Sequence, residues 1–291
     1  MLADRSHKPS IDTAFEHWNE GVMTQTYVHG YEGAELQRLQ DQAATLEALL
    51  HGDTRYPPGS MVLEAGCGVG AQTVTLARHS PGAHFESFDL SQASIDAARR
   101  RVSAAGLSNV RFQQADLFAP PFAEASFDHV FVCFVLEHLA RPVAAIQALT
   151  RLLKPGGTIT VIEGDHGSAY FHPDSAAARA VIACQVELQR RAGGDAMIGR
   201  RVYPLMIEAG LAEVSVSPRL VYVDGGRPAL AEGFIRNTFT AMIAGVRQAS
   251  IEAGLTDAAT FDTGLQALLR TAAADGVFSY CFYKGVGVRP D

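Results

Sequence analysis

A chain of 291 residues is long enough to bury a substantial core as one large domain or two small ones. With 47% hydrophobic and 19% charged residues its composition is that of a globular protein and excludes long disorder. The formal net charge of -7 argues against a sequence-independent grip on nucleic-acid backbones, which needs a basic face; Arg99-Arg100-Arg101 reads instead as the solvated end of a surface helix.

From the N-terminus, Leu36, Leu39, Ala43, Leu46 and Leu50 recur at helical spacing until Arg55-Tyr56-Pro57-Pro58-Gly59 breaks the pattern. Before them lies a short aromatic and polar loop, 25–32, with Tyr27 and Tyr31. Next comes the apolar run Met61-Val62-Leu63, which hands over to Glu64-Ala65-Gly66-Cys67-Gly68-Val69-Gly70 and a helical pattern from Ala71. Three alternate glycines at a strand-to-helix turn let a nucleotide-like ligand lie against bare backbone. A second acidic strand tip, Asp89, closes Phe85-Glu86-Ser87-Phe88-Asp89, roughly 20 residues on, where a ribose-binding acid falls in dinucleotide folds. The loop alone fits any adenosine-containing ligand, nicotinamide cofactors included.

Downstream, Val110-Arg111-Phe112-Gln113 precedes a third acid, Asp116, placed to accept from an adenine amino group. Asp89 and Asp116 each also read as helix N-caps. The continuous apolar run from His129 to Val135 is that of a parallel strand covered on both faces. Leu136-Glu137-His138-Leu139 then starts a helix expected to end at Leu152-Leu153-Lys154-Pro155-Gly156-Gly157, before a strand over Thr158–Glu163.

In this order the motifs resemble the class I S-adenosylmethionine-dependent methyltransferases, in particular the small-molecule branch typified by quinone biosynthesis. The resemblance rests on Val62–Gly70, Phe88-Asp89-Leu90-Ser91, Gln114-Ala115-Asp116-Leu117, Ser126-Phe127-Asp128, Glu137-His138-Leu139 and Leu153–Gly157, and covers residues 60 to 165. It implies an α/β, Rossmann-like fold: a mostly parallel seven-stranded sheet, helices on both faces and added helical cap segments. It also implies S-adenosylmethionine as cofactor and S-adenosylhomocysteine as product. Gly66, Gly68 and Gly70 would lie under the methionine part with Glu64 beneath the loop. Asp89 would take both ribose hydroxyls and Leu90 would pack on the adenine; Asp116 would hold the adenine amine beside Leu117, with Phe134 near the opening onto the cofactor. Tyr27 and Tyr31 are lid candidates or simple packing.

The expected organisation is a helical lid over 1–59, the cofactor core over 60–165, a helical cap over 166–199 and the rest of the sheet over 200–291. A helical insertion is expected at 228–274, broken at Gly254 and Gly264. Ser175 to Arg191 reads as a cap helix; Ala212–Val216 and Val277–Tyr283 with Val286 read as late strands. Two insertions should roof the pocket against polymers, so the expected acceptor is a small molecule bearing oxygen, nitrogen or carbon, and the apolar surface they offer suits a homodimer.

A sulfonium methyl is already activated, so the site must align a nucleophile and exclude water. Where a proton must leave, the candidates are His138, Asp165 and His166, at strand ends. His138 reads equally as pocket wall, and Asp165 with His166 as a hydrogen-bonded pair or as neighbours pointing apart. Glu163, His166, His172 and Asp174 match no metal-ligand spacing, so no metal is expected. Arg200 and Arg201 fit a fork on an acidic substrate or, equally, salt bridges within the chain. Cys67, Cys133, Cys184 and Cys281 form no close pair, the pattern of a reduced, cytoplasmic protein; no signal segment or membrane span is apparent. The competing readings are a nicotinamide oxidoreductase and a protein that binds S-adenosylmethionine without transferring its methyl.

Overall fold

A computed structural model describes residues 45–291. Among them, seven strands form one sheet in the order β3-β2-β1-β4-β5-β7-β6. Strands β1 (Met61–Ala65), β2 (His84–Asp89), β3 (Val110–Gln114), β4 (Phe127–Cys133) and β5 (Leu153–His172) pair in parallel. Antiparallel β7 (Val277–Val288) lies between β5 and the edge strand β6 (Ala212–Asp224). Pro218 is tolerated in β6 because an edge strand leaves one row of backbone groups unpaired.

Alternation along the strands separates two buried layers. Leu63, Ala65, Val130, Val132, Ile159 and Val161 pack with Leu205 and Met206 of α6 (Val202–Glu208) and with α4 (Pro142–Thr150). Val62, Phe85, Phe131, Cys133 and Ile162 face the other way, onto Leu46 and Leu50 of α1 (45–51), Leu76 of α2 (Ala71–His79) and the cap. Burying side chains such as Phe85 and Phe131 contributes roughly 1.5–3 kcal/mol each. This two-sided burial is why β1 and β4 are legible as apolar runs, whereas β3, at the sheet edge, is polar and largely exposed. Asp128 fastens their starting ends: one oxygen accepts from the Met61 N–H at 2.8 Å and the other from Lys154 Nζ at 2.6 Å.

Several elements differ from the sequence reading. No single helix runs from Leu136 to Leu152: Leu136–His138 is a 3-10 turn, Leu139 is extended, and Pro142 opens α4 separately, as a residue whose missing N–H suits a first turn. Strand β5 does not end at Glu163. It continues through a bulge between Asp165 and Tyr170 because β7 supplies a ladder partner as far as Val277. Helix α5 (Ala176–Arg191) lies where the sequence reads a helix and is capped by the Ser175 hydroxyl, and the following insertion is helical: α7 (Pro228–Leu230), a π-helical stretch (Ala231–Thr240), α8 (Ala241–Gly245), α9 (Arg247–Glu252) and α10 (Ala258–Arg270). Gly254 does separate α9 from α10, but Gly264 breaks nothing. It sits inside α10 where α5 crosses, and a Cβ there would lie 2.4 Å from Val181 Cγ1 and 2.7 Å from the Ala177 carbonyl oxygen. Gly264→Val is therefore expected to lower unfolding stability by about 1–3 kcal/mol, read from urea midpoints; an unchanged midpoint would deny the close crossing.

Candidate active site

The order of strands reverses between β1 and β4, and a crevice outside the carboxyl ends of such strands is where open α/β sheets bind ligands. The glycine loop lies there. Gly66, Gly68 and Gly70 all have left-handed φ, at 72°, 51° and 75°. Each is bare for a separate reason. A Cβ on Gly66 would strike Val135 Cγ2 at 2.5 Å, and one on Gly70 would lie 2.9 Å from Ala98 of α3 (Gln92–Ala104). At Gly68 a Cβ would meet nothing within 4 Å, so the loop's middle is open to a ligand.

Two carboxyl groups hold the loop from below and from the side. Glu64 is buried, and its Oε2 accepts from the Thr73 and Ser87 hydroxyls, both at 2.7 Å. Burial pushes its pKa up to about 7, against the pull of those two bonds. Asp89 accepts from the Gly68 N–H and the Ser91 N–H, each at 2.9 Å. Its pKa is also raised, chiefly by burial. Neither Asp89 nor Asp116 caps a helix: Ser91 caps α3, and Asp116 accepts from the Phe118 N–H at 2.9 Å in a turn that leads into no helix.

Leu90, 60% exposed, projects from the tip of β2, an apolar surface available to a flat base. Its carbonyl is held by Gln114 Nε2 at 2.9 Å, and the Ala115 N–H bonds to the Asp89 carbonyl at 3.0 Å, so the tip of β3 brings exposed Asp116 and buried Leu117 to the same edge. Tyr27 and Tyr31 lie outside the described residues. The donor set fits an adenosyl ligand: a carboxylate with lone pairs beyond those its two N–H donors use suits a ribose diol, beside open backbone and an exposed apolar platform.

Beyond β4 the chain turns sharply. Phe134 adopts φ 57°, uncommon for a large side chain, with its N–H held by the Ile162 carbonyl at 2.9 Å and its ring 5.4 Å from Phe282. The turn presents the Val135 and Leu136 N–H groups to Glu163 Oε1 at 3.0 and 2.7 Å. Glu163 is fully buried and its Oε2 has no hydrogen-bond partner among the described residues; burial and the neighbouring Glu137 carboxylate push its pKa well above the usual range. The sequence reading weighed Glu163 only as a metal ligand. Its fixing of the turn depends on a left-handed Phe134 that no local pattern announces.

His138 closes the 3-10 turn, its Nε2 3.5 Å from Glu137 Oε1. Asp165 and His166 point apart. Arg200 forks onto both Asp165 oxygens, at 2.7 and 2.8 Å, while His166 Nδ1 lies 3.0 Å from the Tyr280 hydroxyl on the aromatic side of the sheet. Arg201 pairs with Asp195 at 2.7 Å, so both guanidiniums engage the chain's own carboxylates. Among the described residues no three His, Cys, Asp or Glu groups are placed to hold a metal ion, and no helix is long and apolar enough to cross a membrane.

Residues 62–157 match the family described as "Methyltransferase domain". An uncharacterised 37.1 kDa protein of a Streptomyces fradiae transposon is 33% identical over 65% of this chain and 54% of its own length. The demethylmenaquinone methyltransferase of Clavibacter sepedonicus is 36% identical over 36% of this chain and 41% of its own. The chain thus spans about half the length of the curated relatives it matches. Phosphoethanolamine N-methyltransferase 2 of Haemonchus contortus, solved with S-adenosylhomocysteine and phosphomonomethylethanolamine, superposes with a TM-score of 0.54 at 18% identity, over 85% of this chain and 52% of that one. The YcgJ protein of Bacillus subtilis gives 0.53 at 14% identity, over 85% and 99%. Residues 62–157 are thus similar to a methyltransferase domain, and the solved structures share the fold.

Since the pKa of Glu64 is higher folded than unfolded, the folded chain binds the extra proton between about pH 4.5 and 7. The stability this lends is complete below the lower value and is lost as pH rises through the upper one. Glu64→Gln is expected to remove that decline, about 3 kcal/mol at most, from urea unfolding measured across the window. An equal decline in the variant would assign it elsewhere.

Proposed function

We propose that this chain binds S-adenosylmethionine in the crevice above β1 and β2 and transfers its methyl group to a small organic acceptor through oxygen, nitrogen or carbon. The bound cofactor would supply a methyl activated by the sulfonium charge. Gly66, Gly68 and Gly70 would let its methionine part approach the backbone, over Glu64. Asp89 would hold the ribose, Leu90 and Leu117 would flank the adenine, and Asp116 would accept from its amine. Phe134 would border the opening toward the acceptor, and Tyr27 and Tyr31 remain lid candidates. The observation that carries this reading is the open Gly68 position beside the Asp89 carboxylate, at the strand reversal.

The acceptor pocket is proposed to lie under the cap, with 166–199 and 228–274 as its roof. The aromatic group Phe234, Phe239, Phe278, Tyr280 and Phe282, packed against His166 and Phe134, supports a dry, closed space there, where a nucleophile is aligned and water kept out. His138, at the end of the turn that follows β4, is the proposed base where the acceptor must lose a proton. Asp165 is the weaker candidate, because the Arg200 guanidinium takes both of its oxygens. His166, bonded to Tyr280, would orient rather than abstract. A role on nucleic acid is disfavoured by the net charge of -7, and a homodimer through the insertions is the proposed assembly.

Incubation with S-adenosylmethionine and a panel of phenols, amines and carbon acids is expected to yield S-adenosylhomocysteine with at least one acceptor class; tight binding with no turnover on any would favour a non-transferring protein. Asp89→Ala is expected to weaken S-adenosylhomocysteine binding by about 10–100-fold in calorimetry, since it removes a charge-assisted acceptor pair. With an acceptor in hand, His138→Gln should lower kcat by about 10²–10⁴-fold, leaving cofactor affinity intact. An unchanged kcat would make His138 part of the wall.

A further inference from the structure

On the sheet face that carries α1, the far halves of β4, β5, β7 and β6 frame a groove of about 350 Å³. The carboxyl end of β4 leads to Phe134, level with Glu163 in the middle of β5; the groove sits toward the starting ends of both strands, where His129 stands beside Thr158. It is separate from the glycine-loop crevice.

Its walls follow from period-two alternation. Ser215, Ser217 and Arg219 share one side of β6, across from Val286 and Lys284 of β7 and from Thr158 and Thr160 of β5. A sheet face that packing alone would fill with apolar side chains thus carries a row of hydroxyls and two cations.

Among the described residues the charges do not balance. Lys284, nearly buried, donates to Asp53 Oδ1 at 2.6 Å and to the Thr54 hydroxyl at 2.7 Å. Arg219 takes the other Asp53 oxygen. One carboxylate therefore answers two cations, and together they hold its pKa down at about 2. Arg55, also on the wall, reaches the Thr54 carbonyl at 2.8 Å and the His79 ring at 2.7 Å rather than a carboxylate. Among the described residues the buried Arg219 Nε–H has no hydrogen-bond partner. A buried guanidinium donor without an acceptor, in a cleft with surplus positive charge and hydroxyl walls, is matched by an oxyanion.

We propose that this groove is a binding site for the phosphate or carboxylate group of a small molecule, with Arg219 Nε as its central donor. Binding there is independent of the cofactor crevice, so it stands whether or not methyl transfer is the activity.

The test titrates inorganic phosphate and, separately, malonate into the full chain at low ionic strength, with and without saturating S-adenosylhomocysteine. Saturable binding of either probe is expected, unchanged by S-adenosylhomocysteine and weakened about tenfold or more by Arg219→Gln. The preferred probe then says which oxyanion the site takes. In the unaltered protein the Arg219 Nε–H resonance should shift along the same titration, which keeps the test valid where the variant fails to fold. Absence of saturable binding for both probes, equal affinity in a folded Arg219→Gln variant, or a stationary Arg219 resonance would overturn the proposal. Affinity for S-adenosylhomocysteine, read in the same samples, reports on the crevice alone.

Discussion

The Gly68 N–H bonded to the Asp89 carboxylate is the contact around which the candidate site is arranged. It joins the tips of β1 and β2 beside the strand reversal, and the glycines keep the joint bare. A Cβ on Gly66 would strike Val135 and one on Gly70 would strike Ala98, so neighbours crowd both flanks of the loop. Its open side is therefore set by packing on its closed sides. On the proposed reading this preorganisation, rather than any nucleophile, is what the chain contributes first.

Buried acids complete the frame, and burial determines their charge. Glu64 under the loop and Glu163 under the turn after β4 each satisfy neighbouring donors, and desolvation raises both pKa values. The geometry is thus held by carboxyl groups that need not carry full charge beside the ligand. Asp89 and Asp116 lie nearer solvent at the rim, where on the proposed reading the cofactor's hydroxyls and amine would meet them. The same logic runs backwards in the groove by Lys284 and Arg219, where the cations outnumber the carboxylate.

Most of the cofactor half was legible in the chain. Strands β1 and β4 read as apolar runs because both faces are covered, although β4 stops at Cys133 where the run reads on to Val135, and Gly68 and Asp89, 21 residues apart, do meet in a hydrogen bond. What the sequence hid was decided by distant partners. The Gly164-Asp165-His166-Gly167 stretch reads as a loop, yet β7 draws it into a long strand. Gly264 reads as a break, but the crossing of α5 requires its missing side chain. Leu136 to Leu139 reads as a helix start, but Glu163, 27 residues from Leu136, binds its first N–H groups and holds a short turn. Arg200 finds Asp165 across 35 residues, a pairing no local spacing encodes.

The account is tested most directly by calorimetry that titrates S-adenosylhomocysteine and NADH separately into the full chain. Saturable binding of S-adenosylhomocysteine with no heat from NADH is the result it requires. Binding of NADH without S-adenosylhomocysteine would mean that the glycine loop and Asp89 serve a nicotinamide cofactor, and would contradict it.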